Sequence, residues 1–262
     1  MAATTTYAPW AFLLGTTSQG FEADSIAIGG DHRFDDLQSG AALNKDLRQV
    51  VANRPTVDVT FSDPSIVTAW TEVGAGLGTT KVDVYHRAYE QQGGFSSTYK
   101  SVSFPQGVIY PVRLTADRQT AAKLQCKFEA TFAGGNSCTV GVASASAATL
   151  TKAYYITHII LGGDTITAVE SADVSWTHTV EDDGVHKPSY LYYSALNLSG
   201  SARLLDGDFL TKDGIEGGTE ASVTLRITDV NASATFDVVL GNCHILRGLD
   251  GARTSITFDQ VS

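Results

Sequence analysis

The sequence predicts a mainly β protein built of two tandem β-sandwich units, and three observations predict it. Thr, Val, Ala, Ser and Gly dominate while strong helix formers are sparse, with 25 Gly, 6 Pro and 1 Met in 262 residues, a bias toward strands. Several segments alternate apolar and polar residues at period two, the mark of a strand with one face on a core and one face polar. The two halves of the chain also resemble each other.

In chain order, the first strand is IAIGGD from Ile26, running into Gly29 and Gly30. Two glycines that accept positive φ predict a tight hairpin turn there. In RPTVDVTF, Val57, Val59 and Phe61 alternate with Asp58 and Thr60. Next comes the clearest helix: Asp63 as N-cap, Pro64 at the first helical position, Ile66, Val67, Trp70 and Val73 on one face, and Gly74 closing it. Asp117–Leu124 is a weaker helix candidate. In KVDVYHRAY, Val82, Val84 and Ala88 alternate with Asp83, Tyr85 and Arg87. IILGGD from Ile159 repeats the first motif and predicts a second hairpin at Gly162 and Gly163. VSWTHTVED splits into an apolar set, Val174, Trp176, His178 and Val180, and a polar set, Ser175, Thr177, Thr179 and Glu181. A strand over Tyr190–Leu198 precedes SARLLDGDFL, and in ASVTLRITDV, Val223, Leu225 and Ile227 alternate with Thr224, Arg226 and Thr228.

The halves match block by block. IAIGGD and IILGGD lie 159 − 26 = 133 residues apart, Val82 and Val223 lie 223 − 82 = 141 apart, and the 23-residue segments from Tyr110 and Phe236 lie 236 − 110 = 126 apart. These offsets predict a β unit over 1–143 and a second over 151–262, joined near Ser144–Thr151. A repeat this long is a tandem pair and not a solenoid. The fall from 141 to 126 assigns fifteen extra residues to the first unit as an inserted loop over 89–107. Long loops on compact scaffolds are functional or disordered. Gly93, Gly94, Phe95, Tyr99 and Phe104 mark this one as a docking segment.

Composition narrows the function. The net charge is 18 − 28 = −10, opposite to the surplus of Lys and Arg that coating nucleic acid or an anionic membrane needs. No signal peptide is expected, because the apolar run Trp10–Leu14 is short and no basic segment precedes it. No stretch approaches the roughly 20 apolar residues of a membrane helix. Cys126, Cys138 and Cys243, an odd set without CxxC, point to thiols in a reducing compartment.

No catalytic constellation is expected: GxSxG, HExxH and GxxxxGK[ST] are all missing from the sequence. GAGLG (Gly74–Gly78) follows a helix and precedes a strand, the reverse of a phosphate loop. The six histidines show no ligand spacing, and LDGDFLTKDGIE (Leu205–Glu216) fails the EF-hand template. No metal, cofactor or enzymatic activity is therefore expected.

The acidic, Thr/Ala/Gly-rich β pattern resembles the tail tube (major tail) proteins of long-tailed bacteriophages. The resemblance is carried by ILGGDTITAVESADVSWTHTVE (Ile160–Glu181) at Gly162, Gly163, Ile166, Val169 and Ser171. In the first half only Ile26, Ile28, Gly29, Gly30 and Asp31 match. It implies a sandwich with a short flanking helix in each unit and edge-to-edge joining into a ring with a β-barrel inner wall. It further implies stacking of rings into a conduit for DNA in the virion, assembled in the host cytoplasm with other tail proteins. The two-unit variant of the family closes rings from three chains. On this reading Gly93, Gly94, Phe95, Tyr99 and Phe104 make inter-ring contacts, and Ser175, Thr177, Thr179 and Glu181 line the channel, which DNA passes without specific binding. The alternative is a β-sandwich binding module, of the carbohydrate-binding or decoration type.

Overall fold

A computed structural model describes residues 6–14, 19–37, 47–69, 81–90, 94–132, 138–143, 152–184, 187–205, 219–231, 234–250 and 253–260. Over these residues the protein is mainly β. The strands are β1 (Thr6–Leu14), β2 (Gln19–Leu37), β3 (Leu47–Phe61), β4 (Val82–Glu90), β5 (Gly94–Phe104), β6 (Gly107–Asp117), β7 (Lys123–Ala130) and β8 (Thr139–Ala143). They continue as β9 (Tyr154–Leu161), β10 (Asp164–Ile166), β11 (Val169–Asp182), β12 (Leu191–Leu204), β13 (Thr219–Asp229), β14 (Thr235–Asp250) and β15 (Arg253–Gln260). All pairings are antiparallel, in the order β10-β9-β13-β14-β15-β12-β11-β6-β7-β3-β2-β1-β4-β5-β8. Two sheets share the long β2, and they form no closed barrel.

Alternation places the core. Val57, Val59 and Phe61 on β3 are buried while Asp58 between them is exposed, and Val223, Leu225 and Ile227 on β13 are buried likewise. Phe12 meets Phe61 edge to face at 5.5 Å, and Phe104 lies 5.5 Å from Phe128. Burying each such ring contributes about 1.5–3 kcal/mol. β4 departs from the half-buried pattern: Asp83 and Tyr85 are buried as well as Val82 and Val84. Asp83 is held by Lys81 at 3.0 Å.

One pairing scheme occurs twice. β1 pairs with β2 and β4, β2 with β3, β4 with β5, and β7 with β3 and β6. Correspondingly, β9 pairs with β10 and β13, β11 with β12, β13 with β14, and β15 with β12 and β14. β2 does alone what β10 and β11 do together, and β14 alone spans what β5 and β6 divide.

The registers carry the match to single residues. The β2·β3 ladder slips between Ala23/Ser25 and Arg33/Phe34, and the β11·β12 ladder between Val169/Ser171 and Thr179/Val180. Both slips lie at an offset of 169 − 23 = 179 − 33 = 146. β-bulges twist and bend a strand at fixed places, so the two long strands share two bends. Leu14 stands opposite Val82 as Leu161 stands opposite Val223, which preserves the 141-residue offset read from sequence. Through the ladders, Ile28 corresponds to Val174, Val57 to Gly200, Phe128 to Phe258, Tyr110 to Leu246 and Leu114 to Leu249.

Several expectations are corrected. Gly29 and Gly30 are not a hairpin: they lie inside β2, opposite Thr56 and Pro55. The chain stays extended there because β3 runs alongside the whole stretch, and β2 continues to Leu37. Gly162 and Gly163, with φ of 58° and 98°, do form the two-residue turn between β9 and β10. The inserted loop over 89–107 is mostly strand β5, paired with β4 and β8. Its polar residues alternate with Val102 and Phe104, a period-two pattern hidden by serines. The offset falls in small steps instead, from 141 at β4 to 245 − 109 = 136 at β6 and 258 − 128 = 130 at β7. The hairpin matched at an offset of 126 is thus the right pair of elements in a shifted register.

The helix after Asp63 is a 3-10 helix of six residues, Pro64–Ala69. The Asp63 carboxylate does accept from Ser65 N–H at 2.9 Å, as an N-terminal cap should. Asp117–Leu124 forms no helix but the β6–β7 turn, where the Asp117 carboxylate accepts from Gln119 N–H at 2.6 Å. Of SARLLDGDFL, which takes the helix's place in the second unit, Ser201–Leu204 belong to β12; Trp70–Thr80, with the GAGLG segment, and residues 206–218 lie outside the described residues.

Candidate functional site

The two pairing schemes meet at one joint. β6 runs antiparallel to β11, with Asp117 opposite Ser171, Leu114 opposite Val174 and Arg113 opposite Ser175. Arg118 N–H extends the ladder to the Glu170 carbonyl at 2.9 Å. The joint makes β2-β3-β7-β6-β11-β12-β15-β14 one continuous run of eight strands. Its core side carries Phe128, Leu114, Val174, Trp176 and Phe258.

Charged and aromatic side chains lock the joint. Arg113 Nε donates to both carboxylate oxygens of Asp173, at 3.0 and 3.1 Å. Arg54, on β3, donates from Nε to Asp182 Oδ2 at 2.9 Å and lies 3.7 Å from buried Glu129. Lys127 Nζ is 3.1 Å from Glu129, which also accepts from the Tyr110 hydroxyl. The Tyr110 ring stacks on His178 at 4.5 Å. Contacts thus run from β11 through β3, β7 and β6 back to β11. The hydrogen bond from Arg54 holds the Asp182 carboxyl below the usual carboxylate range, against a smaller opposing effect of burial.

The solvent side of the eight strands is polar. The row Thr60, Gln125, Arg113, Ser175, Ser199 and Asp259 crosses the joint residue by residue. Four of its described cations are occupied: Arg113 by Asp173, Lys127 by Glu129, Lys123 by Asp24 at 2.7 Å, and Arg203 by Glu170 at 3.4 Å. A face of hydroxyls and neutralised cations offers phosphate groups little purchase. Among the described residues no three His, Cys, Asp or Glu side chains cluster as metal ligands would.

The residues read from sequence fall as follows. Thr177, Thr179 and Glu181 are exposed and Ser175 half-buried on the polar side of β11, while Val174 and Trp176 point into the core. Tyr192 donates to Glu181 at 2.9 Å. Phe104 is fully buried against Phe128 and presents nothing to a partner, a correction to its expected contact role. Phe95 and Tyr99 belong to β5, opposite Tyr89 and Arg87, and Gly94 stands opposite Glu90. The side chains of Phe95 and Tyr99, and Gly93 itself, lie outside the described residues. Cys126 and Cys243 are buried free thiols and Cys138 is an exposed one.

The joint itself escaped the sequence reading. Arg113 and Asp173 are 60 residues apart, and Arg54 and Asp182 are 128 apart. No local spacing signals such pairs; isolated charges on otherwise alternating strands were the only trace. No protein-family model matches the chain, and no curated protein matches it in sequence.

Proposed function

We propose that the protein is a structural virion protein whose copies join edge to edge into rings that stack as a phage tail tube. The observation that carries this reading is the β6·β11 joint, where two sets of strands with one pairing scheme meet edge to edge within a single chain. Each set is read as one tube-type unit of a tandem pair, the first over 1–143 and the second over 151–262. A head-to-tail joint that repeats generates a ring when its rotation closes, and closure removes the edges that an open sheet exposes. Three chains would supply six units per ring. Ser175, Thr177, Thr179 and Glu181 then line the channel, and DNA slides past a wall on which Arg113, Lys123, Lys127 and Arg203 are already paired.

Negative-stain microscopy of purified protein tests this: rings or tubes with a central channel are expected, and a uniformly monomeric field at high concentration overturns it. A second reading, a binding module, is favoured by Tyr190 and Tyr192, exposed 55% and 46% with ring centroids 6.3 Å apart. Such rings can stack on sugars. Retention on a carbohydrate array by a monomer, lost in Tyr190→Ala, would select it.

A further inference from the structure

The joint within the chain has two unfilled counterparts, and they fit each other. By the 146-residue offset, Ser25–Gly29 on β2 correspond to Ser171–Ser175, the residues of β11 that pair with β6. Among the described residues, this part of β2 pairs only with β3. By the β7/β15 equivalence, Gly248, Leu249 and Asp250 on β14 correspond to Arg113, Leu114 and Thr115. Among the described residues they pair only with β15.

Exposure agrees. Val174 is 0% exposed at the internal joint, but its counterpart Ile28 is 42% exposed. Tyr110 is 5% exposed beneath His178, but its counterpart Leu246 is 54% exposed. Large apolar groups stranded at the positions that the internal joint buries are what a missing neighbour leaves behind.

Resting on the tube reading, we infer that β2 of one copy pairs antiparallel with β14 of the next, with Ile28 opposite Leu249, and that this joint is held by apolar burial instead of ion pairs. The partner is a second copy of this chain, because the equivalent strands, β11 and β6, already pair in this way inside one chain. The chemistry differs from the internal joint at each lock. Arg113 and Asp173 are replaced by Gly248 and Ala27. Arg54 and Asp182 are replaced by Asn197 and Asp36, and Tyr110 and His178 by Leu246 and His32. None of these three substituted pairs can form a salt bridge between a fixed cation and a carboxylate. Salt screens ion pairs and leaves apolar burial intact or strengthens it.

The test uses two variants with one introduced cysteine each, Ile28→Cys and Leu249→Cys, in the 262-residue chain also carrying Cys138→Ser so that Cys126 and Cys243 remain only as buried thiols. Directly opposed residues of antiparallel strands lie about 4.5–5.5 Å apart at Cα, within disulfide reach. Mild oxidation with copper–phenanthroline and oxygen takes two electrons and two protons from each thiol pair. The expected result is a cross-linked dimer only when the two variants are mixed, with the bridge between positions 28 and 249 mapped by mass spectrometry. Rings by microscopy without that bridge would overturn this joint and leave the tube reading standing. A bridge formed by Ile28→Cys alone would overturn it too, since it would show a two-fold contact. Protein that is monomeric and unbridged would overturn both. For the chemistry, Ile28→Asp and Leu246→Asp should each weaken assembly about tenfold or more, with circular dichroism confirming the fold. Raising salt from about 0.05 M to about 1 M should not dissociate assembled copies, and dissociation by salt would overturn the apolar joint.

Discussion

Tyr110 on β6 and His178 on β11 stack at 4.5 Å across the joint, while the Tyr110 hydroxyl is engaged by buried Glu129. One side chain therefore closes the joint by its ring and ties it to β7 by its oxygen. Tyr110→Ala should destabilise the protein by about 3–5 kcal/mol, as removal of a large buried ring does. Leu246→Ala, at the corresponding exposed position, should change the monomer by about 0.5 kcal/mol or less. Urea unfolding of both variants checks the contrast.

Acid should loosen the joint at Asp182 and the β13·β14 pair at Asp237. The Asp182 carboxyl is held below its ordinary range by the hydrogen bond from Arg54, and the Asp237 carboxyl by that from Arg226. A carboxyl with a depressed folded-state pKa contributes stability that is complete above its unfolded value, about 4. That contribution is lost as pH falls through the folded value. The melting temperature should be flat from neutral pH down to about pH 5 on account of these two groups and fall below about pH 4. Asp182→Asn should make that acid limb shallower, and an unchanged limb would remove Asp182 from its causes.

Two glycines should behave oppositely. A Cβ on Gly200 would sit 2.2 Å from the Phe258 ring and 2.9 Å from the Asp173 carbonyl oxygen. Gly200→Ala should cost about 1–3 kcal/mol or more through overpacking beside the joint. Gly29, on β2 at the position equivalent to Ser175, has only Thr56 Oγ1 near, at 3.5 Å. Gly29→Ala should leave monomer stability within about 0.5 kcal/mol, measured by thermal melts.

Thiol chemistry should sort the cysteines by burial. Burial alone pushes the Cys126 thiol well up, and burial first, with Asp259 nearby, pushes Cys243 up to about 11. Cys138 is exposed. An aromatic disulfide reagent at neutral pH should titrate one thiol rapidly in native protein and all three only in denaturant. Fast loss of two thiols would contradict this burial.

What the sequence made legible was whatever depends on neighbours along the chain. Alternation found the cores of β3, β13 and β11, including the inward turn of Trp176. The match of Val82 with Val223 reproduced the register of two strand pairs. The misreadings share a cause. Gly29 and Gly30 look like a turn because local conformational freedom permits one, and only β3, more than twenty residues downstream at Thr56 and Pro55, holds them straight. Serines in β5 suppress the hydrophobic contrast that marks a strand, so a paired segment read as a loop. The locks of the joint depend on contacts between strands far apart in sequence, which no periodicity encodes.

The β6·β11 joint forms when the chain folds, and so it is made at the effective concentration of a tethered partner, on the order of millimolar. In a ring of such chains every second seam is complete before any two molecules meet. Assembly then has half as many encounters to complete as a ring of single units would need. The two kinds of seam are also released from a shared constraint. In a ring of identical units, each edge residue must suit every joint alike. In the proposed ring the joint within a chain would carry Arg113 and Asp173, and the joint between copies would carry Ile28 for reversible association.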